Sequence, residues 1–422
     1  MKNLKKWSLF LFASLLVIAL AACGGNGGEE KGSEAPEDAI KLSLWAPFSG
    51  PDGPKMKQIV DEYNNSQEKY FVDFQIVPQS EYYKTVDLAL NGDKSKPDVL
   101  VMHGDQIITY ATQDVLKNLD DVIGDTVTKE QYHESAWDGV SVDGSIYGVP
   151  LDIHPLMFYW NKDMFEAAGL DPDSPPTNRE EFLEYAKALT DADKQQFGFV
   201  VPTLWPQHFI FPTIVAQNGG ELYKDGEVNY NSSAVKEALQ FQVDLINKHE
   251  VSPSNVSQDG EVTLFLQGRN AMHLNGPWML QQWEDAGLNF GVAPVPQLGT
   301  EQQAVYGNSH NFVIPNSVSD EKVEGITDFF KFVGDNGMAW AESGQAPASK
   351  AVYESDEFQQ MKQQPQVAKQ FDYVTFNPKV VGWGQAVNPL MDAVNSALLG
   401  QESVEDALEK AQRKASEVLD QQ

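Results

Sequence analysis

The chain has 422 residues, a formal net charge of −31 and a hydrophobic fraction of 41%. This length exceeds one ordinary core and suits two lobes, and the single cysteine excludes an internal disulfide. A body this acidic repels nucleic acid and anionic lipid, and its arginines number only three, Arg179, Arg269 and Arg413, which disfavours a strongly anionic ligand.

The N-terminal residues have the pattern of a bacterial export signal. A basic start over residues 1–6 precedes an apolar run over residues 7–20 that is too short to span a membrane comfortably. The sequence Leu-Ala-Ala-Cys that ends at Cys23 resembles a lipobox, in which the cysteine is diacylated and becomes the first mature residue. We therefore predict a signal peptide at 1–22 and a lipid anchor on Cys23, which would hold the protein on the outer face of the cell membrane.

A segment rich in Gly, Glu, Ser and Pro follows, and residues 23–39 are predicted to form a flexible, lipid-anchored tether. Beyond it, strands alternate with helices, which predicts an α/β fold. The predicted strands are residues 40–45, 71–77, 99–102, 197–201, 289–293 and 311–314. Helices are predicted to begin at Pro54, behind a capping box of Thr177 and Glu180, at Asn388 and at Ser403.

Aromatic and polar residues are concentrated on the segments that flank the predicted strands and helices. A pyranose has apolar C–H faces and a rim of hydroxyls, so it needs flat aromatic rings beneath it and carboxylate, amide or imidazole groups around it. The candidate ligand-binding residues are Trp45, Phe48, Asp52, His103, Asp105, Asp152, His154, Trp205, Gln207, His208, Phe209, Trp278, Asn308, His310 and Trp383. Any one of these tryptophans is as well explained by core packing, and Asp105 or Asp152 by helix capping.

Three stretches carry a resemblance to a known family. They are Pro97–Val101 followed by His-Gly-Asp, Tyr147–Asp163 with its Tyr-Gly-Val-Pro and Phe-Tyr-Trp-Asn-Lys-Asp motifs, and Phe265–Trp278 with its Asn-Gly-Pro-Trp turn. Over nearly all of residues 40–419 the chain resembles the family 1 extracellular solute-binding proteins, the group that includes maltose-binding protein.

The resemblance implies a two-lobed periplasmic-binding-protein clamp of type II, in which each lobe is a β-sheet flanked by helices. It implies hinge crossovers near residues 149–154, 290–294 and 333–343. Lobe 1 would comprise residues 40–150 plus about 290–335, and lobe 2 residues 151–289 plus about 336–422. By family position, the best candidates for ligand contacts are Asp105, Asp152 and Trp278, with Gln207 and Phe209 in the second lobe.

The function that follows is that of a carbohydrate-binding lipoprotein, which delivers a mono- or oligosaccharide to the permease subunits of an ABC transporter. We expect a monomer without a cofactor. Two alternatives stay open: a receptor of the same fold for a polyamine or other small solute, and a secreted glycoside hydrolase, which needs two carboxylates flanking the bond. No such pair stands out, no catalytic motif is present and no Cys/His cluster has metal-ligand spacing, so we predict neither an enzyme nor a metal site.

Overall fold

The computed structural model describes residues 35–48, 50–92 and 96–421. The predicted signal peptide, Cys23 and most of the predicted tether lie outside these residues. Within them, no helix has the length and apolar character that a membrane crossing requires.

The chain alternates short strands and helices. The strands are β1 Ile40–Ala46, β2 Tyr70–Ile76, β3 Val99–His103, β4 Ser141–Val142, β5 Ser145–Ile146, β6 Val149–Pro150, β7 Asp152–Pro155, β8 Met157–Asn161, β9 Phe197–Phe199, β10 Tyr223–Lys224, β11 Glu227–Val228, β12 Asn270–Asn275, β13 Phe290–Ala293, β14 Val305–Asn308, β15 His310–Val313, β16 Ala346–Pro347 and β17 Val374–Thr375. The helices are α1 Asp52–Ser66, α2 Tyr82–Asn91, α3 Gly104–Thr112, α4 Glu134–Gly139, α5 Lys162–Ala167, α6 Arg179–Ala188, α7 Gln207–Gln217, α8 Ser233–Asn247, α9 Gly260–Leu266, α10 Leu280–Asp285, α11 Asp320–Asn336, α12 Met338–Ala341, α13 Lys350–Tyr353, α14 Asp356–Gln359, α15 Gln364–Ala368, α16 Trp383–Ala386, α17 Asn388–Leu398 and α18 Val404–Leu419.

The first sheet has the strand order β2-β1-β3-β15-β6. Its first three strands are parallel, and β15 is antiparallel to both β3 and β6. Alternate residues of β3 face opposite sides, because Val101 packs into one apolar cluster and Leu100 and Met102 into another. The sheet is therefore buried on both faces, which explains why β3 is apolar throughout.

The second sheet has the order β13-β8-β12-β9, and β8 is antiparallel to both of its neighbours. Along β8, Met157 and Tyr159 pack into the cluster that also covers one face of the first sheet. Phe158 and Trp160 pack on the opposite side, into a cluster that includes the C-terminal helices α17 and α18. Each of the two main sheets thus lies between apolar layers.

A third, smaller sheet, β16-β7-β14-β17, connects the two main ones. The chain leaves the first sheet through β7 and returns to it through β14, and these two strands pair antiparallel, with Asn308 opposite His154. The two passages between the main sheets therefore lie side by side, which is the arrangement of a hinge.

Strand pairing and helix packing place two of the three crossovers later in the chain than predicted. Residues 290–293 belong to the second sheet, so the return to the first sheet runs through β14, later than the predicted 290–294. Helix α12 packs on α1, whereas α15 contacts β13, so the third passage lies between Ala341 and Gln364 rather than at 333–343. The lobe boundaries themselves stay a prediction.

Two local predictions are wrong. Helix α6 is capped by Asn178, whose side chain accepts from the backbone N–H of Glu181, while the Thr177 hydroxyl donates to the Glu181 carboxylate. Gln207 does not lie on a loop but begins α7, which is buried along most of its length. The predicted helix starts at Asn388 and after Ser403 are confirmed.

Candidate functional site

A cavity of about 570 Å³ opens where β3, β7, β14 and β15 meet the start of α7. Eleven of the predicted residues line it: Phe48, Asp52, His103, Asp105, His154, Trp205, His208, Phe209, Trp278, Asn308 and His310. Its volume is within the range of small-molecule sites. The structure therefore brings together residues that are separated by more than 250 positions in the sequence.

Three histidines form one side of this cavity, which we call the imidazole wall: His103, His154 and His310. Strand register assembles it, because His310 lies opposite His103 across the β15–β3 pair and β7 places His154 beside them. The His154 and His310 ring centroids are 4.4 Å apart. One nitrogen of each ring lies within 4.8 Å of those of the other two, so these rings could hold a metal ion.

Asp152 fixes two of these rings from behind. Its carboxylate is fully buried and accepts from Nδ1 of His154 at 2.9 Å, Nδ1 of His310 at 2.8 Å and the Trp340 indole N–H at 2.8 Å. Burial alone would raise the pKa of Asp152, but the adjacent His310 and His154 outweigh it and hold the pKa well below its usual range. Asp152 is thus an anion at neutral pH that orients the imidazole wall.

The third ring is held differently. Nδ1 of His103 lies 2.7 Å from the Tyr83 hydroxyl oxygen, and this oxygen accepts from the His103 backbone N–H at 3.0 Å. Burial, reinforced by the nearby His310 and His154, holds the pKa of His103 well below its ordinary 6.5. His103 is therefore neutral at physiological pH.

A second part of the lining, which we call the aromatic wall, consists of Trp205, Phe209, Trp278 and Tyr306, and it adjoins the imidazole wall at His154, whose ring centroid lies 6.0 Å from that of Trp278. Phe209 lies at its centre, with ring centroids 5.4 Å from Trp278 and 5.1 Å from Tyr306, both edge to face. The Trp205 ring is 39% exposed, and Trp278 is half-buried. The wall therefore presents indole surface to the cavity.

Carboxylates and amides complete the lining of the cavity. Asp105 accepts from the amides of Asn308 at 3.1 Å, Gln106 at 3.2 Å and Asn377 at 3.4 Å. Asp52 accepts from Gln345 at 3.1 Å, and its other oxygen is buried without a hydrogen-bond partner among the described residues. Burial raises the pKa of Asp52 to about 6, against the opposing effect of His310.

Comparison with known proteins agrees with this arrangement of sheets and cleft. A family model described as bacterial extracellular solute-binding protein matches residues 58–369. The chain belongs to this family. The resemblance seen in the sequence is therefore confirmed, and so is the two-lobed type II fold.

Individual relatives match over nearly their whole length. The galactooligosaccharide-binding protein of Bacillus subtilis is 25% identical over 97% of this chain and 96% of its own. A maltodextrin-binding protein of the same organism is 24% identical, with 96% of each chain covered. The solved structure of a cyclic α-maltosyl-1,6-maltose binding protein from Arthrobacter globiformis has a TM-score of 0.78 at 23% identity, covering 91% of this chain and 100% of that chain.

In this solute-binding protein, four predicted residues do not line the cavity. Trp45 lies within β1, where it packs against the cluster of Tyr82. Asp152 lies behind the imidazole wall, and Gln207 is buried with its amide donating to the Pro202 carbonyl and the Gln242 side chain. Trp383 is 1% exposed and packs into the second-sheet core.

Sequence reasoning missed several residues that line the cavity: Pro47, Gln79, Tyr83, Gln106, Tyr306, Gln345, Asn377, Gly384, Val387 and Asn388. Tyr306 could have been found, because it lies two residues before Asn308 on one strand, and residues at that spacing share a face. Nothing local marks Gln345 or Asn377, which reach the cavity through tertiary packing alone.

Proposed function

We propose that this solute-binding protein captures a neutral carbohydrate outside the cell and delivers it to the permease subunits of an ABC importer. The observation that supports this most is the lining of the cleft, in which the aromatic wall faces imidazole, amide and carboxylate groups. No lysine or arginine is among the described residues that line this cavity. The relatives named for galactooligosaccharides and maltodextrin support the same class of ligand.

The chemistry of the two sides suits a sugar. Indole and phenyl rings can cover the apolar C–H faces of a sugar. The indole N–H of a tryptophan can at the same time stay in contact with water. Asn308, Asn377 and Gln106 offer amide groups that already hydrogen-bond to Asp105, so the polar side is pre-organised before a ligand arrives. A ligand with hydroxyls around an apolar ring satisfies both sides at once.

The cleft favours an oligosaccharide over a single ring. A neighbouring cavity of about 240 Å³ shares Asp105, Asn308 and Asn377 with the main one. Another, of about 440 Å³, shares Trp205, His208 and Asn388 with it. A chain of sugar units would extend through the main cavity into one of these neighbours.

A polyamine fits this site less well than a sugar does. It would need free carboxylates, yet Asp105 is engaged by three amides, and the buried Asp52 carboxylate accepts from the Gln345 amide. Anionic solutes lack a cationic partner in the lining. We also propose that the protein is not an enzyme, because its family and relatives serve binding and transport.

Closure of the hinge sheet would signal the bound state to the transporter. Trp278 follows β12 of the second sheet and His103 ends β3 of the first, so a ligand between them favours a closed arrangement of the lobes. We propose that the protein acts as a monomer and that the permease recognises its closed form.

Calorimetric titration of the purified protein with galacto- and malto-oligosaccharides of one to six units tests the proposal. We expect one binding site, with affinity that rises from mono- to oligosaccharide, and a smaller radius of gyration with ligand by small-angle scattering. Spermidine and glycerol 3-phosphate serve as controls. Binding of either control without any sugar binding, or sugar turned over during long incubation, would overturn the proposed function.

Membrane attachment is tested separately. We propose that Cys23 carries the lipid, so Cys23→Ser should abolish labelling of the protein with radioactive palmitate in cells. A mutant that still takes up label would show that the anchor lies elsewhere.

A further inference from the structure

The imidazole wall is more than a hydrogen-bonding surface for a sugar. Three rings from three different strands converge until one nitrogen of each lies within 4.8 Å of those of the other two. His154 and His310 are buried, and His103 is half-buried. Three imidazoles gathered in this way are a donor set that suits divalent transition metals.

In all three rings the hydrogen bond to the supporting residue is made by Nδ1, which leaves Nε2 as the candidate metal ligand. Nδ1 of His154 and Nδ1 of His310 hydrogen-bond to Asp152, and Nδ1 of His103 hydrogen-bonds to the Tyr83 hydroxyl. Because a carboxylate can only accept, the Nδ1 atoms of His154 and His310 carry the protons, which leaves the lone pair on Nε2. For His103 the Tyr83 hydroxyl can either donate to Nδ1 or accept from it, and Nε2 is free as a ligand in the tautomer that carries its proton on Nδ1.

This pattern resembles the support that metal-binding histidines receive in general. A carboxylate or other acceptor behind the ring fixes its tautomer and orientation and increases its basicity as a ligand. Here one buried carboxylate, Asp152, supports two rings and is itself oriented by the Trp340 indole N–H at 2.8 Å. Its negative charge directly behind the rings of His154 and His310 favours a cation in front of them.

We propose that His103, His154 and His310 bind one divalent transition metal ion of the zinc type through their Nε2 atoms, at the imidazole wall of the cleft. Three protein ligands leave a coordination position that faces the cavity, where water or a sugar hydroxyl can bind. An ion about 2.0–2.1 Å from each nitrogen in tetrahedral geometry requires nitrogens as far apart as 4.8 Å to approach one another by about 1.5 Å. This proposal stands on the histidine geometry and does not depend on the ligand being a sugar.

Spectroscopy and calorimetry on the full-length protein, stripped of metal with a chelator, test this site. Titration with zinc chloride should show one ion bound per chain, and cobalt(II) should give the intense visible absorption of a four-coordinate, nitrogen-ligated ion. His103→Gln should weaken zinc binding by at least about ten-fold and abolish the cobalt band. This variant is preferred because His103 contacts the Tyr83 hydroxyl and not the buried Asp152 network.

His249→Gln is the matched control, since His249 lies outside the cleft, and it should leave zinc binding unchanged. The wild-type cobalt spectrum keeps the test independent of whether a variant folds. No zinc binding to wild type, a cobalt spectrum of a six-coordinate ion, or equal affinity in His103→Gln would overturn the site. Sugar titrations with and without the chelator separate the proposals, because loss of zinc binding with intact sugar binding overturns only this one.

Discussion

The imidazole wall and the aromatic wall adjoin each other in one cleft, where His154 contacts Trp278, but the rest of the protein holds them in different ways. Each ring of the imidazole wall has a hydrogen-bonded partner behind it, and two of them share the fully buried Asp152. The aromatic wall is held by ring-to-ring contacts, and its outermost member, Trp205, is 39% exposed. Directional bonds to a buried charge fix orientation, whereas apolar contacts allow rings to adjust.

This difference suggests that the imidazole wall determines specificity and the aromatic wall determines affinity. A wall whose rings are fixed by register and by Asp152 can discriminate between ligands by the position of polar atoms. A wall of adjustable rings contributes affinity to any ligand with an apolar face. Substitutions on the two sides should therefore differ in whether they reduce the stability of the protein or its affinity for ligand.

The largest expected effect is a loss of folding stability in Asp152→Ala. The change leaves the rings of His154 and His310 and the Trp340 indole N–H without their buried acceptor. Removing one partner from a buried charged network typically costs about 3–5 kcal/mol in the free energy of unfolding. Urea unfolding at neutral pH measures it.

Asp372→Ala is the control, because this exposed carboxylate also faces a histidine, His133, at 3.4 Å. Surface pairs contribute little to stability, so this variant should unfold like wild type. If both variants unfold alike, Asp152 does not hold the imidazole wall and the contrast between the walls is wrong.

On the aromatic wall, Trp278→Ala should reduce affinity with a smaller loss of stability. Its ring contacts Phe209 and Trp205 and faces the cavity. Truncating an aromatic at the centre of a binding site commonly costs more than about 2 kcal/mol of binding free energy, which is about thirty-fold in Kd. Calorimetry with the best oligosaccharide measures this.

Tyr223→Ala provides the comparison, since Tyr223 is a half-buried aromatic on the β10–β11 hairpin outside the cleft. It should bind sugar as wild type does. An unchanged Kd in Trp278→Ala together with a lower melting temperature would make Trp278 a packing residue, and the aromatic wall would lose its role.

The two walls also differ in how far they could be predicted from sequence. Alternating and continuous apolar patterns predicted β1 and β3, because burial on sheet faces imposes those patterns directly, and start signals at Asn388 and Ser403 predicted the C-terminal helices. The resemblance to solute-binding proteins supplied the two-lobed fold. His103, His154 and His310 were each predicted singly as ligand contacts: His103 from its place after a strand, His154 from the first crossover and His310 from its place before a strand.

Sequence could not reveal that these histidines converge. Their meeting depends on the register of β15 with β3 and on the pairing of β7 with β14, which are long-range contacts with no local trace. For the same reason Asp152 was predicted at the surface of the cleft, although the strand turns it behind the rings. Trp383 shows the opposite error, because a tryptophan beside glycines fits a core residue equally well.

A smaller loss of sugar affinity is expected from a change in the polar part of the lining. Asn308→Ala removes an amide donor to Asp105 at 3.1 Å and should weaken sugar binding by about 1 kcal/mol, or about five-fold. Asn336→Ala, an exposed amide that bonds only to its own helix, is the control and should leave Kd unchanged. A loss in Asn308→Ala as large as that in Trp278→Ala would mean that the polar groups, not the aromatic wall, dominate affinity.

The smallest effect is expected from salt. A neutral sugar carries no charge for ions to screen, so raising sodium chloride from about 50 to about 500 mM should change its Kd by less than about two-fold. A cationic ligand held by Asp52 and Asp105 on the imidazole side would instead lose affinity steeply, because its attraction to those carboxylates weakens as the screening length shortens. The measurement uses metal-free protein, so that a bound ion does not contribute its own salt dependence. A large loss of ligand affinity at high salt would mean that the carboxylates, not the aromatic wall, supply most of the binding free energy. The ligand would then be a polyamine rather than a carbohydrate.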